Sequence, residues 1–183
     1  MILKKTLYSI LFCFSVFLLK AQIKSHFRIE DKQINKVFFN ADQVSKVNIK
    51  THQGNFIQFK SSSEGSYRND IYFDYEIKGD MLYIQTIYPE RLAFGDNKMT
   101  SMQEFSVAAE LNLPQNLNVE INSEIASVIG SGNYENLIVN TKAGQCRMIL
   151  FLGNAIINTY DGNIYIQTHN ASIEAKSQNG NLE

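Results

Sequence analysis

The chain has few cysteines and few prolines, so its composition is neither that of a disulfide-rich scaffold nor that of a disordered protein. Its 183 residues include only two cysteines and two prolines, whereas 44% of the residues are hydrophobic and 19% are charged. This composition supplies enough apolar surface for a packed core, which argues against intrinsic disorder. Histidines are also few, and His26, His52 and His169 lie far apart in the sequence. Because zinc sites need ligands at short spacing, we predict no metal ion and no cofactor.

An excess of basic residues is also missing. The chain has 17 lysines and arginines against 18 aspartates and glutamates. Nucleic-acid binding is therefore not predicted, because it depends on neutralising phosphates with positive side chains. The sequence also lacks the G-x-S-x-G of a nucleophile elbow and the glycine run ending in Gly-Lys-Ser/Thr of a phosphate loop.

The N-terminus has the features of a signal peptide over residues 1–21. Lys4 and Lys5 precede an apolar run from Leu7 to Leu19, and Ala21 is a suitable last residue before cleavage. The apolar run is shorter than the roughly 20 residues of a membrane-spanning helix. We therefore predict export over a membrane anchor, with no membrane span in the mature chain and a periplasmic, outer-membrane-associated or extracellular location.

Cleavage would change both the charge and the cysteine content. Three lysines leave with the signal peptide, so the formal charge falls from −1 to −4. Cys146 remains as the single cysteine, which excludes an internal disulfide even in an oxidising compartment. It falls at an inward position of the pattern described next, and we predict a small core residue there, not a reactive thiol.

From Pro114 onward the sequence repeats with a period of nine. Written nine residues at a time it reads PQNLNVEIN, SEIASVIGS, GNYENLIVN, TKAGQCRMI, LFLGNAIIN, TYDGNIYIQ, THNASIEAK and SQNGNLE. The sixth and eighth positions are mostly apolar, and residues two apart share one face of a strand. The fourth position is glycine or alanine in the last five rows, and glycine suits the positive φ of a tight corner. Each row is therefore predicted to be a corner followed by a short strand.

A second period of 18 residues distinguishes two architectures. Asn122, Asn140 and Asn158 recur at this spacing. Two strands per coil would stack these residues about 4.8 Å apart in a ladder of shared amide hydrogen bonds. We therefore predict an all-β fold in which residues 114–183 form a β-solenoid, or β-helix, of regular nine-residue rows. An ordinary meander of hairpins is the alternative.

Residues 22–113 are rich in β-type patterns but less regular. Ile71, Phe73, Tyr75 and Ile77 alternate with polar residues, and after Gly79 and Asp80 the segment from Met81 to Tyr88 follows as a return strand, which is typical of a hairpin. Phe105 to Leu113 is predicted to be a strand that leads into the repeats. We interpret residues 22–113 as the irregular, β-rich N-terminal part of the stack, which contains hairpins. Because the turn from Thr51 to Asn55 is similar to the corner from Thr159 to Asn163, degenerate rungs of the repeat can begin this early.

The segment from Phe105 to Gly180 resembles a known family. Its strand entry LNLPQNLNV, the row IASVIGSG and the corner TYDGNI are similar to those of the secreted adhesin-like domain family of Gram-negative bacteria, which includes auto-transporter adhesin heads of the β-helix type. The resemblance implies an exported β-helical stack without established chemistry. The sequence stops within a row, and an open end of a stack predicts end-to-end self-association.

Two places are predicted to bind a partner. The outward seventh position on alternate rows reads Glu120, Ile138, Ile156 and Glu174, so two isoleucines would lie side by side between acids and form an apolar stripe. Alternatively, the N-terminal strands or a neighbouring segment cover them. The connection from Pro89 to Gln103 is the second place, described by its apolar members Leu92 and Phe94. It is either a recognition loop or a cap on the stack.

An enzymatic alternative depends on two carboxylates. Asp74 and Glu76 are two residues apart on one strand face, about 7 Å from each other, a separation compatible with glycoside hydrolysis or polysaccharide cleavage. No cluster of lysine or arginine accompanies them. We therefore predict an exported, non-catalytic, adhesin-like or structural module of the cell envelope, with an envelope protein or a glycan as its partner.

Overall fold

The computed structural model describes residues 25–31, 33–65, 71–88 and 105–183. Among these residues the secondary structure consists of twelve β-strands, and the all-β prediction is confirmed. The predicted signal peptide and the loop residues Leu92 and Phe94 lie outside the described residues. The strands are β1 His26–Ile29, β2 Lys36–Asn40, β3 Lys46–His52, β4 Ile57–Gly65, β5 Tyr72–Lys78, β6 Met81–Ile87, β7 Phe105–Pro114, β8 Asn118–Ser123, β9 Ser127–Ala143, β10 Cys146–Asp161, β11 Ile164–Gln167 and β12 Asn170–Ser177.

All twelve strands belong to one curled, open sheet. The long strands β9 and β10 produce the curl, because the two halves of each strand pair with different neighbours. Two runs of hydrogen-bonded strands result. The first run is β11-β10-β9-β3-β7-β4-β1, and the second run is β12-β10-β9-β8-β2-β6-β5. The runs meet across the core, where the rings of Phe39 in β2 and Phe59 in β4 have their centroids 5.7 Å apart.

An 18-residue offset relates the parallel strands β8 to β12. Asn136 lies opposite Asn118, and Ile156 lies opposite Ile138. Regular rows of nine are not confirmed, because β9 and β10 continue through the corners predicted at the starts of alternate rows. Shifts of register also interrupt the pairing of β10 with β9 near Phe151.

The N-terminal part is only partly made of hairpins. Strands β5 and β6 form the predicted antiparallel hairpin, with Lys78 opposite Met81. Strand β2, however, lies between β8 and β6 and pairs in parallel with both. Strand β3 pairs in parallel with β7 and β9. The N-terminal strands therefore enter the parallel stack itself instead of only preceding it.

The predicted inward positions form the core. The buried members of the sixth and eighth positions are Val119, Ile121, Val128, Gly130, Leu137, Val139, Cys146, Met148, Ala155, Ile157 and Ile164. Gly130 leaves room for its neighbour, since a Cβ at this position would lie 2.6 Å from the sulfur of Met148. The last row is different, because Leu182 is 55% exposed.

The corner glycines are required for two distinct reasons. Gly144 has a φ of +118°, a conformation that favours glycine. Gly162 has no positive φ, but a Cβ there would lie 2.0 Å from the carbonyl oxygen of Gly144 in the row below. Gly180 meets the carbonyl oxygen of Gly162 at the same 2.0 Å. Close stacking of backbone, which sequence reasoning missed, therefore explains glycine at two of these corners.

Replacing Gly162 with alanine tests this close approach. The added methyl group must push apart two stacked corners, so we expect Gly162→Ala to lower the free energy of unfolding by about 1–3 kcal/mol in urea denaturation. The control is Gly79→Asn, because a Cβ at Gly79 meets nothing within 4 Å and asparagine tolerates its φ of +61°. Equal stability of Gly162→Ala and the wild type would contradict the crowding.

Candidate binding face and groove

The outward face of the second run carries residues in register from strand to strand. Backbone pairing aligns one residue from each of six strands in a central column. Along the sheet, this central column consists of Tyr83, Phe38, Glu120, Ile138, Ile156 and Glu174. Its aromatic end is close-packed, with the rings of Phe38 and Tyr83 at a centroid distance of 5.8 Å. The column thus changes from aromatic to acidic to aliphatic across the face.

The two isoleucines of the predicted stripe are brought together. Ile138 and Ile156 are directly opposite each other on neighbouring strands, between Glu120 and Glu174. Ile156 is 42% exposed and Ile138 is half-buried. Among the described residues, therefore, no strand covers Ile156. Partner binding by this pair remains a prediction.

A ladder of asparagines flanks the central column, as predicted. Asn158 donates from Nδ2 to Oδ1 of Asn140 at 3.0 Å, and Asn140 donates in the same way to Asn122 at 2.9 Å. Asn122 in turn donates to the carboxylate of Glu120 at 3.2 Å. The two amide–amide bonds join adjacent parallel strands, so the amides are held at the strand spacing of about 4.8 Å, whereas the bond from Asn122 to Glu120 lies within β8.

A second ladder on the other side of the column was missed. Asn136 donates to Asn118 at 2.7 Å, and Asn154 donates to Asn136 at 3.4 Å. The signal was available, because these three residues also recur every 18 positions. The third of them, Asn154, directly follows Gly153, at which a corner is predicted, but it lies within β10.

An open groove borders the first ladder. It has a volume of about 660 Å³ and runs across β2, β8, β9, β10 and β12. One wall is the ladder extended at both ends, and the other wall, called the corner wall, comes from residues two positions farther along the chain, at or just beyond the point where each strand pairing ends. The ladder wall consists of Asn40, Asn122, Asn140, Asn158 and Lys176. The corner wall consists of Asp42, Glu124, Lys142, Tyr160 and Gln178. We call this feature the asparagine groove.

Charges in the asparagine groove balance. Glu124 forms an ion pair with Lys142, and this hydrogen bond and the negative charge raise the pKa of the lysine above its ordinary value. Asp42 and Lys176 add one charge of each sign. Tyr160 adds an aromatic ring that is 55% exposed. The lining side chains are therefore mostly polar and carry no net formal charge, and Phe38 and Tyr160 are the aromatic members of the lining.

The carboxylates of the enzymatic alternative lie elsewhere. Asp74 and Glu76 are exposed on β5, at the end of the second run, and neither lines the asparagine groove. Glu76 forms an ion pair with Lys78 at 2.7 Å, while Asp74 accepts a hydrogen bond from the backbone N–H of Tyr75 at 2.8 Å. Ordinary surface contacts thus account for both side chains.

Neither a metal cluster nor a membrane helix is found in the described residues. No three side chains of His, Cys, Asp or Glu gather there as ligands. The same ranges contain no helix with the length and hydropathy needed to cross a membrane.

Comparison with known proteins identifies a similar fold. No protein-family model matches the chain, and neither does any curated protein. The chain is similar to the crystal structure of a candidate cell adhesion protein from Clostridium sporogenes, with a TM-score of 0.61 and 12% identity over 88% of this chain and 98% of that one. At this level of identity the likeness shows a shared fold alone.

Two other solved structures align along most of their length at much lower scores. A candidate adhesin from Bacteroides fragilis has a TM-score of 0.28 and 10% identity, with 89% of this chain and 96% of that one covered. A candidate lipid binding protein from Parabacteroides distasonis has a TM-score of 0.29 and 12% identity, with 87% and 96% covered. Scores this low do not establish a shared fold.

Cys146 provides a test of the packing behind the face. It is a free thiol and is fully buried, as predicted, and burial raises its pKa to about 12. The Cys13→Ser variant leaves Cys146 as the one cysteine of the chain. In this variant we expect iodoacetamide at pH 8 to react with Cys146 about a thousandfold more slowly in the native chain than in the urea-unfolded chain. Equal rates would contradict the buried position.

The same shift predicts a dependence of stability on pH. The folded pKa is raised above the unfolded one, so the contribution of the protonated thiol is complete below about pH 9 and decreases between about pH 9 and 12. The test is to measure the free energy of unfolding by urea titration across this pH range, for the Cys13→Ser variant and for the same variant carrying Cys146→Ala. If the free energy of unfolding falls equally in both proteins over that range, the thiol is not the cause of the fall.

Proposed function

We propose that this protein is an exported, non-catalytic binding module, adhesin-like in function, whose outward face on the second run binds a macromolecule of the cell envelope. The observation that carries the proposal is the outward pair of exposed Ile156 and half-buried Ile138, placed in register between two hydrogen-bonded asparagine ladders. Apolar side chains surrounded by a polar rim are typical of interaction sites.

Cell adhesion is supported by the fold shared with the Clostridium sporogenes protein, which is a candidate for that role. Nothing in these comparisons supports the narrower resemblance to auto-transporter heads of Gram-negative bacteria. A surface location agrees with adhesion and with the signal peptide proposed for residues 1–21. Glycans and envelope proteins are the two partner classes proposed.

The proposed architecture is a β-solenoid over residues 114–183, preceded by a less regular part over residues 22–113. The offset of 18 residues between parallel neighbours supports two strands per coil. Self-association through the end of the stack is a further proposal. It is supported by β12, which pairs only with β10 among the described strands and so leaves one edge of its backbone open.

A polysaccharide-cleaving enzyme is not favoured by a specific observation. Asp74 and Glu76 do not border the groove, and Glu76 is already paired with Lys78. The proposed function accordingly assigns them no catalytic role.

A double substitution in the stripe tests the proposal. Ile138→Asp with Ile156→Asp places two carboxylates beside Glu120 and Glu174, so we expect binding to immobilised glycans or isolated cell envelopes to weaken at least about tenfold, which is about 1.4 kcal/mol. The fold should persist, because both side chains point outward. Binding is measured with the purified full chain, and folding by circular dichroism.

The matched control introduces the same charge elsewhere. Ile129→Asp with Leu150→Asp changes one outward residue of β9 that is paired into the first run and one residue of β10 that is 66% exposed. This control should bind like the wild type. The proposal is overturned if the wild type binds neither glycans nor envelopes, or if both double variants lose binding equally.

A further inference from the structure

The asparagine groove has the shape of a site for a chain molecule. It crosses five adjacent strands, which at about 4.8 Å per strand corresponds to a length of about 19 Å. It is open along this length and presents one ladder side chain and one corner side chain from each strand. A polymer laid across the strands would meet a similar set of groups at each step, whereas a compact ligand would use only part of the groove.

Hydrogen-bonding capacity remains in the ladder. An amide has two N–H donors and an oxygen with two lone pairs. Asn140 uses one donor toward Asn122 and one lone pair toward Asn158. Among the described residues, its second donor and second lone pair have no partner. Hydroxyl groups both donate and accept, so the hydroxyls of a polysaccharide match a row of amides in this state.

Backbone pairing argues against a peptide as the occupant. Extended peptides bind to sheets by adding a strand at a free edge. The central strands of the groove, β8, β9 and β10, are already hydrogen-bonded to neighbours on both sides. Recognition within the groove must therefore come from side chains, which suits a hydroxyl-rich chain better than a polypeptide.

The charge and the aromatic ring specify the kind of polysaccharide. Asp42 and Glu124 balance Lys142 and Lys176, so the groove has no net field that would attract a polyanion. The ring of Tyr160 is 55% exposed beside the ladder and offers an apolar surface for the C–H face of a sugar ring.

We propose that the asparagine groove binds an extended, neutral polysaccharide, with the amides of Asn140 and Asn158 bonding its hydroxyls and Tyr160 stacking on a sugar ring. This inference rests on the proposed function, since it names the glycan class bound at one side of the same face. It adds a site that the isoleucine stripe alone does not contain.

The test is calorimetric titration of the purified full chain with neutral oligosaccharides. The probes are cello-, laminari-, manno- and xylo-oligosaccharides from two to six sugars, with hexagalacturonate as the charged comparison. We expect at least one neutral series to bind, with affinity that rises with length, and hexagalacturonate to bind at least about tenfold more weakly. No binding of any neutral oligosaccharide overturns the inference, as does preferential binding of hexagalacturonate.

Variants locate the site. Asn140→Ala with Asn158→Ala, and separately Tyr160→Ala, should each weaken binding at least about tenfold. The matched control is Gln145→Ala with Gln167→Ala, which removes the same number of amides from exposed positions that do not line the groove and do not belong to either ladder. Tyr160 is exposed, so Tyr160→Ala should fold normally. It therefore still tests the site if Asn140→Ala with Asn158→Ala disturbs folding. Equal loss in the control, or full binding by Tyr160→Ala, contradicts the assignment.

The two proposals fail in different ways. If the wild type binds cell envelopes in a manner sensitive to Ile138→Asp with Ile156→Asp but binds no neutral oligosaccharide, the groove inference is wrong and the binding function stands. If it binds neither envelopes nor oligosaccharides, both are overturned.

Discussion

Parallel backbone hydrogen bonding at an offset of 18 residues is the constraint on which the other features depend. It places Val128, Cys146 and Ile164 in one inward line and Ile138 opposite Ile156 on an outward line. Side chains alternate between faces along a strand, so a slip of one residue would bury the asparagines and expose the core. The apolar core and the polar ladders therefore stabilise the same register, because that register buries the apolar side chains and places the asparagines on the outward face.

The ladders and the glycines are two consequences of this stacking. Equivalent residues on successive strands approach so closely that each residue type must be able to pack against, or bond to, another residue of the same type. Asparagine satisfies this condition because its amide both donates and accepts, as between Asn140 and Asn158. At the corners, Gly162 meets the carbonyl oxygen of Gly144, and no side chain fits between them. The polar groove wall and the tight corners thus arise from a single repeat.

The N-terminal strands give the sheet its continuity. Strands β2 and β3 pair in parallel with strands far along the chain, such as β8 and β9, and the antiparallel pairs lie farther from the parallel strands β8 to β12. Phe39 of β2 and Phe59 of β4 close the core between the two runs. The N-terminal contribution also extends the binding face, since Phe38 and Tyr83 continue its central column and Asn40 extends the ladder.

Sequence alone determined the features that follow from local alternation and from the 18-residue period. These are the strand type, the inward lines, the first ladder and the isoleucine pair, because stacked coils turn a spacing in sequence directly into a contact. Only the tertiary structure decided that β9 and β10 run through their corners, which strands β2 and β3 pair with, and that a groove forms beside the ladder. Pairing between distant strands uses backbone groups common to every residue. The periodicity of one segment therefore does not determine which remote segment it pairs with.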